Sequence, residues 1–271
     1  MATHVQSSIV ERSGIAIGRI TLDRPEKKNA LTPEMLDEVA AAVERMTSSS
    51  PSSGDPRVGA IVLDGNGAAF CAGFDLTLCR ESSDALAVLL AGLSRVVRVL
   101  RRCGAGKSGG GGVGGGVPVI GAVHGAALAG GCALLGGMDY VISHTDAKIG
   151  YPVVRLGISP AVSASFLRMA IGDGRTRERM LDSTLVSGWD AARMGLVHEC
   201  LEDAGKVRER AMVFAEQIAL KPRPAIAATK ALLNELDGSN RDDPADAALN
   251  TSLGLVGSAE ERARLAHLWK N

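Results

Sequence analysis

The spacing of hydrophobic positions changes along this chain, and each change marks an element. Ile15, Ile17, Ile20 and Leu22 follow Gly14 at a mostly two-residue period, which predicts a strand turning through Asp23-Arg24-Pro25-Glu26. Met35, Leu36, Val39, Val43 and Met46 instead fall along one side of a helix. Thr32, Pro33 and Glu34 supply its start: a hydroxyl cap, a proline in the first turn and a carboxylate near the positive end. A Ser-rich run over 48–53 ends it. The apolar run Val58, Ala60, Ile61, Val62, Leu63 predicts a buried strand closed by Asp64-Gly65-Asn66-Gly67. A helix is expected over 86–100 and another buried strand over 117–123. Strands separated by helices imply βαβ units.

The second half changes character. Weaker strand patterns at 140–143 and 148–151 give way to helical patterns over 161–171, 175–181, 204–220, 224–236 and 259–269. The expected architecture is an α/β core over residues 1–200 with a helical region over 201–271. Between the halves, residues 104–116 are nearly all glycine, which reads as a flexible surface insertion. Gly106-Lys107-Ser108 imitates the end of a phosphate-binding loop. That motif needs glycine where this chain has Arg101, and it follows a strand rather than preceding one.

Composition narrows the functional classes. Thirty Lys and Arg balance thirty Asp and Glu over 271 residues, so no overall field draws the protein to nucleic acid or an anionic membrane. With 3% aromatics, base-stacking recognition of RNA is not expected either. The five cysteines form no CxxC pair and no His-containing metal spacing, which points to reduced thiols and a cytoplasmic setting. No secretory signal opens the chain, and no apolar run reaches the ~20 residues a membrane span needs.

Two glycine-bearing segments carry the chemistry: Phe70-Cys71-Ala72-Gly73-Phe74-Asp75-Leu76 and His124-Gly125-Ala126-Ala127-Leu128-Ala129-Gly130-Gly131-Cys132-Ala133. Each offers a small residue with an exposed backbone N–H where a loop or helix begins. Two such donors converging on one carbonyl oxygen make an oxyanion hole. Taken alone, the same glycines read as tight turns or close packing.

Together with the loop Leu22 to Leu31, the segment Val154-Arg155-Leu156-Gly157-Ile158-Ser159-Pro160 and the run Ser187 to Val197, these segments resemble the crotonase superfamily, the enoyl-CoA hydratases and isomerases. The resemblance covers nearly the whole chain. It implies a crotonase-like spiral of ββα units with a C-terminal helical trimerisation region, a homotrimer or hexamer, and an acyl-CoA substrate. It implies no metal, and no cofactor beyond the coenzyme A that the substrate carries.

By this resemblance the oxyanion donors are the N–H groups of Ala72 and Gly130, with the Gly130 helix dipole favouring negative charge. Lys27 and Lys28 meet CoA phosphates, the backbone at Ala30 and Ala72 holds the adenine, Leu76 is a further substrate-binding position, and Asp75 braces its loop. A hydratase of the family carries glutamates where this chain has Ala133 and Val153, which remain as pocket-lining positions. Proton transfer therefore needs another group. Tyr151, two residues before Val153 on an expected strand, is the candidate acid/base; His124, His267, Glu81 and Asp84 are weaker ones. The reading that follows is an acyl-CoA enzyme of the hydratase/isomerase type. A decarboxylase of the same family and a CoA-ester-binding protein without turnover are the alternatives.

Overall fold

The computed structural model describes residues 3–48, 58–82, 84–103 and 116–268. The Ser-rich run beyond Ser48 and the glycine tract before Gly116 lie outside the described residues. In chain order the elements are β1 (Val5–Arg12), β2 (Ile15–Leu22), α1 (Pro33–Thr47), β3 (Ala60–Gly65), α2 (Leu78–Glu81), α3 (Ala85–Arg102), β4 (Val119–Val123), β5 (Ala126–Leu128), α4 (Gly130–Leu135), β6 (Tyr140–His144), β7 (Lys148–Gly150), α5 (Ala164–Leu181), β8 (Val186–Ser187), α6 (Gly188–Met194), β9 (Glu199–Leu201), α7 (Val207–Ala219), α8 (Arg223–Leu236), α9 (Asp243–Leu253) and α10 (Ala259–Leu268).

One sheet runs β1-β2-β3-β4-β6-β9, parallel throughout except for antiparallel β1 at the edge. A smaller sheet orders β5-β7-β8. Strand alternation divides the large sheet between two cores. Ile20, Leu22, Ile61, Leu63, Val119 and Val123 face one with α1 and α3; Ile17, Ala60, Val62, Ile120, Ala122 and Ile142 face the other, which α7 covers. Because both faces are covered, the period-two signal over β2 and the continuous apolar run of β3 both become buried strands. Asp64 ties α7 down: its buried carboxylate meets Arg19 Nε at 2.9 Å and Arg208 Nε at 2.8 Å.

Several expectations are adjusted. The boundary expected at residue 200 falls inside the packed structure, because α7 forms the second layer of the large sheet. The two helices expected over 161–171 and 175–181 are both present, as the two halves of α5 on either side of the non-helical Gly172 at φ 75°. Tyr151 is not in a strand, because β7 ends at Gly150 and Pro152–Leu156 forms a 3-10 helix. Thr32 caps α1 as expected, accepting a hydrogen bond from Met35 N at 3.3 Å. Among the described residues, no helix is long and apolar enough to cross a membrane.

Candidate active site

Three loops meet where the parallel strands β2, β3 and β4 end, the side of an open α/β sheet where ligands gather. The first follows β2. Its 3-10 turn, Pro25–Lys27, leads into Lys28 and Asn29 in the left-handed region, at φ 50° and 55°. Asn29 is fully buried. Its Oδ1 accepts from Arg24 N at 2.8 Å, and its Nδ2 donates to Asn66 O at 2.9 Å, Ala69 O at 2.8 Å and Phe70 O at 3.1 Å. One side chain thus fastens the first loop to the second.

Asp75 adds a second fastening. Arg24 Nη1 donates to Asp75 Oδ2 at 2.7 Å and to Ala30 O at 3.1 Å, while Thr77 N and Oγ1 donate to Asp75 Oδ1. Burial pushes this carboxyl up, but the hydrogen bonds from Thr77 and Arg24 outweigh it and hold it below the ordinary carboxylate range. An ionised, doubly held carboxylate is a brace.

The backbone of the first glycine motif corrects one expectation. Ala72 N donates to Lys28 O at 3.0 Å, so this amide is engaged inside the loop and is not a free oxyanion donor. Leu31 N donates to Gly73 O at 2.7 Å and Asp75 N to Leu31 O at 2.9 Å. In this parallel bridge the polar groups of Phe74 itself face away from Leu31. Among the described residues the Phe74 N–H has no acceptor. Sequence reasoning chose the small residue two positions earlier; the signal it missed is the bridge to Leu31, a long-range pairing.

The second motif lies against the first. Phe70 N donates to His124 O, Cys71 N to Ala126 O and Leu128 N to Cys71 O, at 2.8 to 3.0 Å. Gly130 opens α4, and its N–H also has no acceptor among the described residues. A Cβ on Gly130 would stand 3.1 Å from the Phe74 ring, so the two unengaged amides belong to neighbouring residues. Packing constrains the other glycines: a Cβ on Gly131 would meet Cys71 O at 2.5 Å, and one on Gly125 would meet Ala68 O at 2.0 Å. At six residues, α4 has only a small dipole, which leaves the amides as the main anion-binding feature.

Ala129, immediately before Gly130, sits at φ 50° and ψ −111°, a conformation that costs a non-glycine residue ~1–3 kcal/mol. Ala129→Gly is expected to remove most of this strain while adding ~0.5–1 kcal/mol of chain entropy cost. The midpoint of thermal unfolding should rise or stay level; a fall of several degrees would show that Ala129 is unstrained in solution.

The remaining candidates separate. Ala133 is buried, and Val153 is half-buried on the 3-10 helix and packs against the main core. Tyr151 is 2% exposed and hydrogen-bonds with Cys132 and Ser163. Burial first, then the neighbouring Cys132, pushes its phenol well above the ordinary value. Tyr151 therefore remains a neutral core residue, and the shared face expected for it and Val153 does not exist. Burial likewise drives the Cys71 and Cys132 thiols up to about 12. Lys27 and Lys28 are exposed at the rim, while Ala30 and Leu76 are half-buried. His124 is half-buried, its Nε2 2.9 Å from Gly67 O. His267 is exposed on α10, Asp84 precedes α3, and the Glu81 side chain lies outside the described residues. No group of three potential metal ligands occurs among the described residues.

Known proteins share this chain's sequence pattern and fold. The family profile described as enoyl-CoA hydratase/isomerase matches residues 12–103 and 112–253. A putative enoyl-CoA hydratase of Thermus thermophilus is 30% identical over 236 residues, covering 86% of each chain. A probable enoyl-CoA hydratase of Rhodobacter capsulatus is 31% identical over 251 residues, 92% of this chain and 88% of its own. Among solved structures, an enoyl-CoA hydratase/isomerase from Xanthobacter autotrophicus superposes with a TM-score of 0.82 at 27% identity, covering 100% of this chain and 94% of its own. The profile match and the two relatives establish that this chain belongs to the enoyl-CoA hydratase/isomerase, or crotonase, superfamily.

Proposed function

We propose that the chain is an acyl-CoA-binding enzyme of the hydratase/isomerase type that stabilises a thioester enolate between the N–H groups of Phe74 and Gly130. The observation that carries this reading is the pair of unengaged amides on neighbouring residues of the two glycine motifs. A thioester carbonyl gains negative charge when its α-carbon loses a proton, its β-carbon gains a nucleophile or a carboxyl group leaves as carbon dioxide. Fixed donors lower each barrier, and losing one typically costs ~3 kcal/mol.

In this reading Lys27 and Lys28 at the exposed rim meet the CoA phosphates. The backbone of Ala30 and Ala72 lies along the adenine, with Ala72 contributing through its carbonyl. Leu76, Ala133 and Val153 line the acyl pocket, and Asp75 holds the loop. The chemistry uses no cofactor beyond coenzyme A and serves cytoplasmic fatty-acyl metabolism. Because Ala133 and Val153 bear no acid or base, the same apolar surface also suits decarboxylation of a malonyl-type thioester, in which the substrate's own carboxylate supplies the electrons.

Calorimetry with acetoacetyl-CoA is expected to give a micromolar dissociation constant, and no binding at millimolar ligand would overturn the reading. Mass spectrometry of products from enoyl-CoA and malonyl-CoA esters separates the two chemistries. We further propose a homotrimer or hexamer, because α8 leaves Leu232, Leu233 and Leu236 exposed. Light scattering should report three or six chains; a monomer at micromolar concentration would contradict it.

A further inference from the structure

A cavity of about 430 Å³ lies at the opposite ends of the strands from the candidate active site, among the starts of β4 and β6, the end of α4, α5, α7 and α8. Its volume is within the range that holds small-molecule ligands. Most of its wall is apolar, with Leu135, Met138, Met169, Leu196, Phe214 and Ile218 among the lining residues. Against that wall stand several hydrogen-bond donors. Lys230 is a buried ammonium, its side chain 6% exposed, whose Nζ donates to Val117 O at 2.9 Å and Asp139 Oδ2 at 2.6 Å. An ammonium has three protons, so one donor position remains.

Arg101 lines the same cavity. Its Nη2 pairs with Asp237 at 2.5 Å, but its Nε is buried and has no hydrogen-bond partner among the described residues. His198 Nδ1 accepts from Val141 N at 3.0 Å, which puts the proton of the neutral ring on Nε2 as a further donor. Arg101 is balanced by Asp237 and Lys230 by Asp139, so what the cavity offers an acceptor is the remaining Lys230 proton and the His198 Nε2–H, and an unsatisfied buried donor costs free energy until an acceptor reaches it.

We propose that this cavity binds an amphiphile with a single anionic headgroup and an unbranched apolar tail, of the class of medium-chain carboxylates. The remaining Lys230 N–H and the His198 Nε2–H take the carboxylate, and the Leu-, Met- and Phe-lined wall takes the tail. Nothing in this inference rests on the acyl-CoA reading of the other site.

The test is calorimetric titration of the full chain with dodecanoate and with dodecanol, each below its aggregation concentration. Dodecanoate is expected to bind with a micromolar dissociation constant, and dodecanol at least tenfold more weakly. Saturating acetoacetyl-CoA should leave the dodecanoate affinity unchanged, since the sites are separate. Two variants localise the ligand. K230M combined with D139N removes the headgroup charge without stranding a carboxylate, and the amide oxygen that D139N introduces can still accept from Val119 N–H. A170W fills the rim from an exposed position and leaves the buried wall intact. Each variant should weaken dodecanoate at least tenfold; the unfolding midpoint of A170W should stay near that of the parent, while that of K230M/D139N falls because the buried Val117 O loses its donor. No binding at millimolar dodecanoate, equal binding of dodecanol, displacement by acetoacetyl-CoA, or unchanged affinity in A170W would each overturn the proposal.

Discussion

Hydration of crotonyl-CoA by the unmodified chain is expected to fall 10²- to 10⁴-fold below the ~10 s⁻¹ typical of enzymes. Adding water across an enoyl double bond requires one group to take a proton from water and another to deliver a proton to the α-carbon. In the proposed reading the positions that would hold these carboxylates are occupied by Ala133 and Val153. The other titratable groups nearby are held or silenced: Asp75 by Arg24 and Thr77, Tyr151 and Cys132 by burial. If Phe74 and Gly130 polarise the thioester as proposed, residual turnover should exceed the uncatalysed rate. Ala133→Glu with Val153→Glu is expected to raise hydration and to lower the unfolding midpoint, because a carboxylate at the fully buried Ala133 position must be desolvated. Steady-state kinetics of parent and double variant decide it. Parent turnover near ~10 s⁻¹ would mean that an unassigned group moves the protons.

Much of the fold was legible because its strands and long helices are strongly patterned. The capped start of α1, the apolar run of β3 and the helix over 86–100 all stand close to where the periodicity places them. What escaped notice carries no hydrophobic signal of its own. The sequence of β1, VQSSIVER, is mostly exposed, and the strand exists because β2 offers it an edge to pair with. Helix α9 has only Ala245 and Ser252 buried and is marked chiefly by the polar start Asp242-Asp243-Pro244.

The candidate site shows the same division. The two glycine motifs were readable, and so was the bracing role of Asp75, because residue type and order carry them. The identity of the free amide was not. Which N–H is left unengaged depends on Lys28 O reaching Ala72 N and on Leu31 bridging past Phe74, contacts between segments more than forty residues apart. Tyr151 failed for a related reason: Pro152 ends the strand pattern, so the alternation that paired it with Val153 stops one residue too soon.

Asn29→Ala is expected to destabilise the chain by about 3–5 kcal/mol, because the side chain satisfies two buried and two part-buried groups at once. Removing it leaves Arg24 N–H and the carbonyls of Asn66, Ala69 and Phe70 to find other partners, each at a cost of ~1–3 kcal/mol if they find none. Part of the loss is conformational, since φ of 55° suits asparagine and glycine better than alanine by ~1 kcal/mol. Asn29→Gly separates the two contributions, keeping the backbone freedom while removing the amide, and should recover only about that 1 kcal/mol. Urea unfolding midpoints measure both variants. The same side chain holds the first loop against the first glycine motif, so acetoacetyl-CoA affinity should fall at least tenfold under conditions where the variant is still folded. A loss of stability below ~1 kcal/mol, with affinity intact, would show that Arg24 and Asp75 alone hold Phe74 in position and that Asn29 only fills the turn.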